Sequence, residues 1–211
     1  LTCTSGYYCT GSSNRKKCPT GYTSAEGAIA QNKCYINVTA GKYLASANGT
    51  TFTSCDTGKY KTAHTVYYGN TSSCDTCPSG YQDGAGTTTK SNCLNNVPGG
   101  YYIKTANDIN GTGCDAGYYS DTHNVKFGST SSCTQCPSGY RDGAGCSGQS
   151  YCTISLADGQ YLGTEKSTSK STCAAGTYKA AHSVRYGYTS SCTACPTGEW
   201  SPTGASACTK C

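Results

Sequence analysis

The chain has 211 residues, of which 18 are Cys, 27 Gly and 19 Tyr, while only 13% are charged. This cysteine density is typical of secreted domains in which disulfides replace a large core, and it argues against a reducing, cytosolic location. The formal charge of +5 is spread along the chain without a long basic stripe, and no run of 18 apolar residues occurs. A nucleic-acid surface and a membrane span in this segment are therefore excluded.

Most cysteines are related by a step of 59 residues. They form four series: Cys18, Cys77, Cys136 and Cys195; Cys34, Cys93, Cys152 and Cys211; Cys55, Cys114 and Cys173; Cys74, Cys133 and Cys192. We predict a truncated first repeat (residues 1–33) and full repeats over residues 34–92, 93–151 and 152–211. The expected fold class is small disulfide-rich β: tandem modules of short β-hairpins and loops that form an elongated rod with little or no helix.

Taken in chain order, the first feature is the basic run Arg15–Lys17, which we interpret as a solvated loop. Each repeat then has a turn with a glycine and an aromatic residue, such as Asp56–Tyr60, whose aromatic ring is expected to cover a disulfide. The alternating segment that starts at His64 predicts a short strand with Val66 on its buried face. The pairs Asp83-Gly84 and Asp142-Gly143 predict two-residue hairpin turns.

The four framework cysteines of a repeat allow three pairings. We predict sequential pairing, because each closed loop then holds its own turn, and Cys3 with Cys9 in the shortened first repeat. Cys195 has two candidate partners, Cys208 and Cys211, of which we choose Cys208. The predicted disulfides are Cys3–Cys9, Cys18–Cys34, Cys55–Cys74, Cys77–Cys93, Cys114–Cys133, Cys136–Cys152, Cys173–Cys192 and Cys195–Cys208.

This pairing leaves Cys146 and Cys211 as candidate cross-linking residues. Cys146 interrupts the framework, since the preceding repeat has Thr87 at its position. A cysteine outside the pairs is not expected to stay a thiol in an oxidising compartment. Cys211 could bond to Cys146, to a following module or to another chain.

The Cys-x-x-Cys pairs, such as Cys74 with Cys77, could also indicate zinc or a redox centre. Four ligands with paired spacing, or a strand-to-helix setting, would be needed, and both are missing. The histidines His64, His123 and His182 share one repeat position, and we expect each to hydrogen-bond within its own hairpin rather than bind metal. No triad of acid, base and nucleophile recurs, so we predict neither an enzyme nor a cofactor.

Four asparagines match the N-glycosylation acceptor, namely Asn37, Asn48, Asn70 and Asn110. They are candidate glycosylation sites if the chain is made in a cell with that pathway.

The segments CPSGYQDGAGTTTKSNC from Cys77 and CTACPTGEWSPTGASACTKC from Cys192 resemble growth-factor-receptor-type cysteine-rich repeats, and in style the modules of tumour-necrosis-factor and ephrin receptors. The whole chain is similar to long Cys/Gly/Tyr-rich repeat proteins of microbial cell surfaces. The resemblance implies a secreted or surface-tethered rod of small β-hairpins.

The expected function is that of an extracellular or cell-surface structural or adhesive protein, and the form we expect is the protomer of a surface filament that grows by self-association. The alternative is a receptor-like ectodomain that binds a host glycan or protein, for example through a cluster around Trp200. A thiol-exchange enzyme is a third class, which would require reactive thiols.

Overall fold

A computed structural model describes residues 2–11, 14–82, 84–141 and 144–211. In these ranges short antiparallel β-strands alternate with turns, and helix is restricted to three single turns of 3-10 helix. These turns are Gln31–Lys33, Lys90–Asn92 and Gln149–Tyr151. The predicted fold class, a small disulfide-rich β protein with little helix, is confirmed.

The strands recur with the 59-residue step of the sequence. The chain opens with β1 (Tyr7–Cys9) and β2 (Arg15–Lys17). The next six are β3 (Tyr35–Val38), β4 (Lys42–Tyr43), β5 (Thr53–Ser54), β6 (Lys59–Tyr60), β7 (His64–Tyr67) and β8 (Asp75–Thr76). They recur as β9 (Leu94–Val97), β10 (Tyr101–Tyr102), β11 (Thr112–Gly113), β12 (Tyr118–Tyr119), β13 (His123–Lys126) and β14 (Thr134–Gln135). The last eight are β15 (Thr153–Leu156), β16 (Gln160–Tyr161), β17 (Ser171–Thr172), β18 (Thr177–Tyr178), β19 (His182–Arg185), β20 (Thr193–Ala194), β21 (Glu199–Trp200) and β22 (Thr209–Lys210).

The described chain forms two compact units, one with residues up to 95 and residues 126–128, the other with residues 96–125 and 129–211. In the first unit the antiparallel pairs are β1–β2, β3–β7, β4–β5 and β6–β8. The β3–β7 register places Ile36 opposite Val66, and both side chains join a core with Val38 and Leu44. This core also contains Cys34, so a disulfide sulfur replaces part of the apolar volume.

The second unit repeats this packing twice. Its antiparallel pairs include β10–β11, β12–β14, β15–β19, β16–β17, β18–β20 and β21–β22. One small core contains Val97, Ile103 and Val125, and a larger one contains Ile154 and Leu162. Each repeat therefore folds around a few aliphatic side chains, and the remaining stability has to come from covalent and backbone bonds.

Strand β7 matches its prediction, because Val66 is buried while Thr65 and Tyr67 are exposed. The basic run Arg15–Lys17 differs from the predicted loop, because it is strand β2 and pairs with β1. Its residues are exposed, and the Arg15 guanidinium lies 3.9 Å from the centre of the Tyr7 ring, an attraction that favours the strand pairing. The predicted Asp-Gly turns involve Asp83, Asp142 and Gly143, which lie outside the described residues.

Candidate functional site

The structure closes eight disulfides, and they are the same pairs as in the sequential scheme. They are Cys3–Cys9, Cys18–Cys34, Cys55–Cys74, Cys77–Cys93, Cys114–Cys133, Cys136–Cys152, Cys173–Cys192 and Cys195–Cys208. The expected packing of an aromatic ring on a disulfide is present at Tyr60, which lies against the cluster of Cys77, Tyr81 and Cys93. Eight pairs use 16 of the 18 cysteines, and the other two are Cys146, which is half-buried, and Cys211, which is exposed.

The paired spacing Cys-x-x-Cys joins two different disulfides. Cys74 bonds back to Cys55 and Cys77 bonds forward to Cys93, so neither sulfur is available as a metal ligand or an exchanging thiol. In the ranges that the structure describes, no group of three or more His, Cys, Asp or Glu side chains is arranged to hold a metal ion. The spacing instead marks the point where one closed loop ends and the next begins.

A smaller unit than the 59-residue repeat becomes visible in the backbone, and we call it a block. A block begins at a glycine with positive φ, carries an aromatic residue two positions later, and ends at a cysteine whose N–H donates to that glycine's carbonyl. These N–H···O bonds measure 2.7–3.1 Å. The eight blocks run Gly6–Cys18, Gly41–Cys55, Gly58–Cys77, Gly100–Cys114, Gly117–Cys136, Gly159–Cys173, Gly176–Cys195 and Gly198–Cys211.

In seven of the eight blocks, the residue after the aromatic donates its N–H to an oxygen in a disulfide loop. That loop starts at the cysteine that ends the block. The seven donors are Cys9, Leu44, Lys61, Ile103, Ser120, Leu162 and Lys179. Their acceptors, at 2.9–3.1 Å, are the carbonyls of Ala28, Thr87, Cys146 and Ala205 and the hydroxyls of Ser72, Ser131 and Ser190. Each of these seven blocks is thus covered by the disulfide loop that follows it, which supplies an acceptor for a backbone N–H that would otherwise be unpaired.

The eighth block is hairpin β21–β22 with its flanking residues Gly198 and Cys211. The Cys211 N–H donates to the Gly198 carbonyl at 3.1 Å, so Cys211 stands where every other block has a disulfide-bonded cysteine. By sequence step, however, Cys211 aligns with Cys152, the second cysteine of a loop. In the structure Cys195 bonds to Cys208, as predicted, and Cys211 ends a block of its own, which is the position of a first cysteine of a loop.

Each of the three histidines hydrogen-bonds to a serine whose hydroxyl accepts the N–H of a block. His64 Nδ1 is 3.0 Å from the Thr62 carbonyl oxygen, so this nitrogen carries the proton, and Nε2 accepts from the Ser72 hydroxyl at 2.9 Å. The Ser72 Oγ in turn accepts the Leu44 N–H at 2.9 Å. His123 with Ser131 and His182 with Ser190 repeat the arrangement.

A serine hydroxyl beside a histidine also occurs in nucleophilic catalysis. Here the serine oxygen already accepts a backbone N–H, and the same pair is built three times in support of a strand. Because the serine oxygen is engaged by the backbone, we assign the His-Ser pairs a structural role.

This role gives a matched test in the second unit. We expect Ser131→Ala to lower the free energy of unfolding by about 1–3 kcal/mol, because the buried Ile103 N–H loses its acceptor. Ser132→Ala, at the exposed neighbouring position, is expected to have little effect. Urea denaturation with the disulfides intact measures both; equal midpoints for the two variants would contradict the role assigned to Ser131.

The tyrosine of each Cys-Pro-x-Gly-Tyr segment is a buried anchor. The Tyr140 hydroxyl donates to the Ser167 carbonyl at 2.7 Å, and its ring meets the Tyr186 ring edge-on with centres 5.1 Å apart. Burial, and secondarily Tyr186, raises the pKa of Tyr140 above its ordinary value. The phenol therefore stays protonated and keeps donating at mildly alkaline pH.

The four candidate glycosylation residues, Asn37, Asn48, Asn70 and Asn110, are all exposed. The Asn48 Oδ1 accepts the Gly69 N–H at 2.7 Å, which leaves its Nδ2, the attachment atom, outside that bond. Their use as glycan sites remains a prediction.

One exposed apolar groove of about 250 Å³ occurs in the first unit. It is lined by Ala25, Glu26, Gly27, Ala28, Ile29, Lys33, Tyr35 and Tyr67. The rings of Tyr35 and Tyr67 meet edge-on, with centres 6.1 Å apart, and Ile29 is 72% exposed. The equivalent positions of the later repeats carry other residues, Leu94 with Lys126 and Thr153 with Arg185.

Over the described part of the chain, helices are too short and too polar to cross a membrane. No protein-family model matches the sequence, and no curated protein matches it significantly.

Proposed function

We propose that the chain is an extracellular structural repeat protein, which contributes to a cell-surface filament or adhesive layer. The observation that carries this proposal is the covering of one block after another by the same backbone contact. This contact joins two different surfaces, the donor side of a block and the acceptor side of a loop, and heterologous contacts can be extended without a limit set by symmetry.

Two further features support a location outside the cell. The cores contain few aliphatic side chains, and six cysteines, at Cys34, Cys55, Cys93, Cys114, Cys152 and Cys173, are almost completely buried. A fold of this kind depends on an oxidising compartment, in which its disulfides stay closed. The exposed asparagines of the sequons are compatible with such a location.

The test is immunogold labelling of unpermeabilised source cells, combined with light scattering of the protein extracted without reductant. We expect label at the cell surface and particles larger than the monomer. A monodisperse monomer together with an unlabelled surface would refute the proposal.

The second candidate function is a receptor-like ectodomain that binds a glycan or a protein. It is favoured by the groove beside half-buried Tyr35 and exposed Tyr67, since the later repeats have no pair of aromatic residues at these positions. Tyrosine rings are suited to such surfaces, because they bury large area at low entropic cost. If this function holds, Tyr67→Ser abolishes binding on a glycan array or in a pull-down, whereas Tyr188→Ser, a change of an exposed tyrosine outside the groove, has no effect.

A further inference from the structure

In the part of the chain that the structure describes, hairpin β21–β22 lacks three contacts that the other blocks make within the chain: a disulfide at the closing cysteine, cover over the aromatic ring, and an acceptor for the N–H after that ring. We define the β21–β22 face as the Trp200 ring, the Ser201 N–H and the Cys211 thiol. All three belong to one block and lie in the second compact unit.

The first is the thiol. In the other seven blocks the closing cysteine bonds to a cysteine 13–19 residues further along the chain. Cys211 has the same backbone bond to its block glycine as these seven, yet it is exposed and outside the disulfides. Its geometry is therefore that of the first cysteine of a disulfide loop.

The second is the aromatic ring. In the other seven blocks the aromatic residue is buried or half-buried, with Tyr8 only 8% exposed. Trp200 occupies the same position and is 52% exposed. A large indole left this open gains substantially from being covered.

The third is the backbone donor. The N–H of Ser201 follows the aromatic, as the bonded N–H of Cys9, Lys61 and Lys179 does in other blocks. Among the described residues no acceptor bonds this N–H, although Ser201 itself is only 2% exposed. An acceptor supplied from outside would remove the cost of an unpaired donor.

We propose that the β21–β22 face is the docking surface for a further disulfide loop of this chain's own repeat type, joined directly to Cys211. The loop places a backbone carbonyl on the Ser201 N–H, shields the Trp200 ring, and bonds its cysteine to Cys211. This loop would continue the arrangement already present in the chain, where seven blocks are each covered by the loop that starts at the block's own cysteine. Bond formation oxidises two thiols to a disulfide, and the two electrons and two protons pass to the oxidant of the compartment, such as a disulfide-exchanging oxidoreductase.

This inference rests on the repeat architecture of the proposed function and, like the other disulfides, on an oxidising compartment, but it requires neither display on a cell surface nor assembly of several chains. The two can fail separately. If surface labelling and assembly are observed while the β21–β22 face stays open, only this inference is wrong.

The test extends the full chain after Cys211 by a copy of residues 19–76, the segment that follows Cys18 and contains a complete loop and its supporting strands. Trp200 is the only tryptophan, so its quenching by acrylamide reports on this face alone. We expect a disulfide between Cys211 and the copy of Cys34, and a fall in quenching as the exposed fraction drops from 52% toward the 8% of Tyr8.

The matched control is the same extended chain with Cys211→Ser, in which the copy of Cys34 loses its partner and the loop is no longer closed. A copy of Cys34 that remains a thiol, with Trp200 quenched as in the unextended chain, would overturn the proposal. So would shielding of Trp200 in the unextended chain through a Cys211–Cys211 dimer, because a second copy would then be the occupant of the face.

Discussion

Gly100→Ala is expected to lower the free energy of unfolding by about 2–5 kcal/mol, as the sum of two costs. The residue has φ +85°, a conformation that costs a non-glycine residue about 1–2 kcal/mol. A Cβ at this position would also overlap the Gly145 carbonyl, which is backbone and cannot turn away. Overpacking of this kind costs about 1–3 kcal/mol.

The matched control is Gly117→Ala. Gly117 has almost the same φ, +86°, but a Cβ there would meet no atom within 4 Å. It should therefore cost only the conformational part, about 1–2 kcal/mol. Urea midpoints of the two variants, measured with the disulfides closed, separate the two costs; if Gly100→Ala were as stable as Gly117→Ala, the close approach of Gly100 to the loop Cys136–Cys152 would be wrong.

The same approach occurs at Gly41 with Gly86 and at Gly159 with Gly204. In each case the second glycine belongs to the disulfide loop that comes after the block's own cover, and its N–H donates to the carbonyl of the block's cysteine at 2.8 Å. The block glycines are thus needed for the closeness of the two backbones, whereas Gly86 and Gly145 have open space around a Cβ and are needed for the positive φ of their turns.

Much of this fold could be predicted from the sequence, because its constraints are local. Sequential pairing follows from loops of similar length that each contain a turn, and the strand at His64 follows from strict alternation. The side-chain bonds of His64 were also expected within its hairpin, since both its partners, Thr62 and Ser72, are within eight residues.

The blocks were missed for a physical reason. Their defining bond joins a cysteine N–H to a glycine 12–19 residues earlier, and the lengths differ between blocks, so no fixed spacing marks them. The one available sign was the triplet of glycine, any residue and an aromatic, which occurs at Gly6 and Gly198 as well as within the repeats. The fixed step of 59 residues instead aligned Cys211 with Cys152 and hid its similarity to Cys195.

Long-range strand pairing was equally invisible in the sequence. Strand β3 pairs with β7 across the whole β4–β5 hairpin, and Lys61 N–H reaches Thr87 over 26 residues. Such pairs depend on where the disulfides return the chain, and the hydrophobic pattern of strands of two to four residues is too short to specify them.

Reduction of the disulfides is expected to unfold the protein completely at neutral pH and room temperature. Each loop of 13–19 residues contributes about 3 kcal/mol by restricting the unfolded chain, and a core such as Val97, Ile103 and Val125 is too small to replace it. The double variant Cys173→Ser with Cys192→Ser should by itself lower the free energy of unfolding by about 2–5 kcal/mol. It removes one loop closure and places a serine hydroxyl at the fully buried position of Cys173. Cys211→Ser, which touches no disulfide, should leave the urea midpoint unchanged.

Non-reducing peptide mapping establishes the pairs beforehand, and an interlaced pair such as Cys55 with Cys77 would contradict the basis of the prediction. Resistance to protease and dispersed amide resonances that persist in strong reductant would show that noncovalent packing suffices.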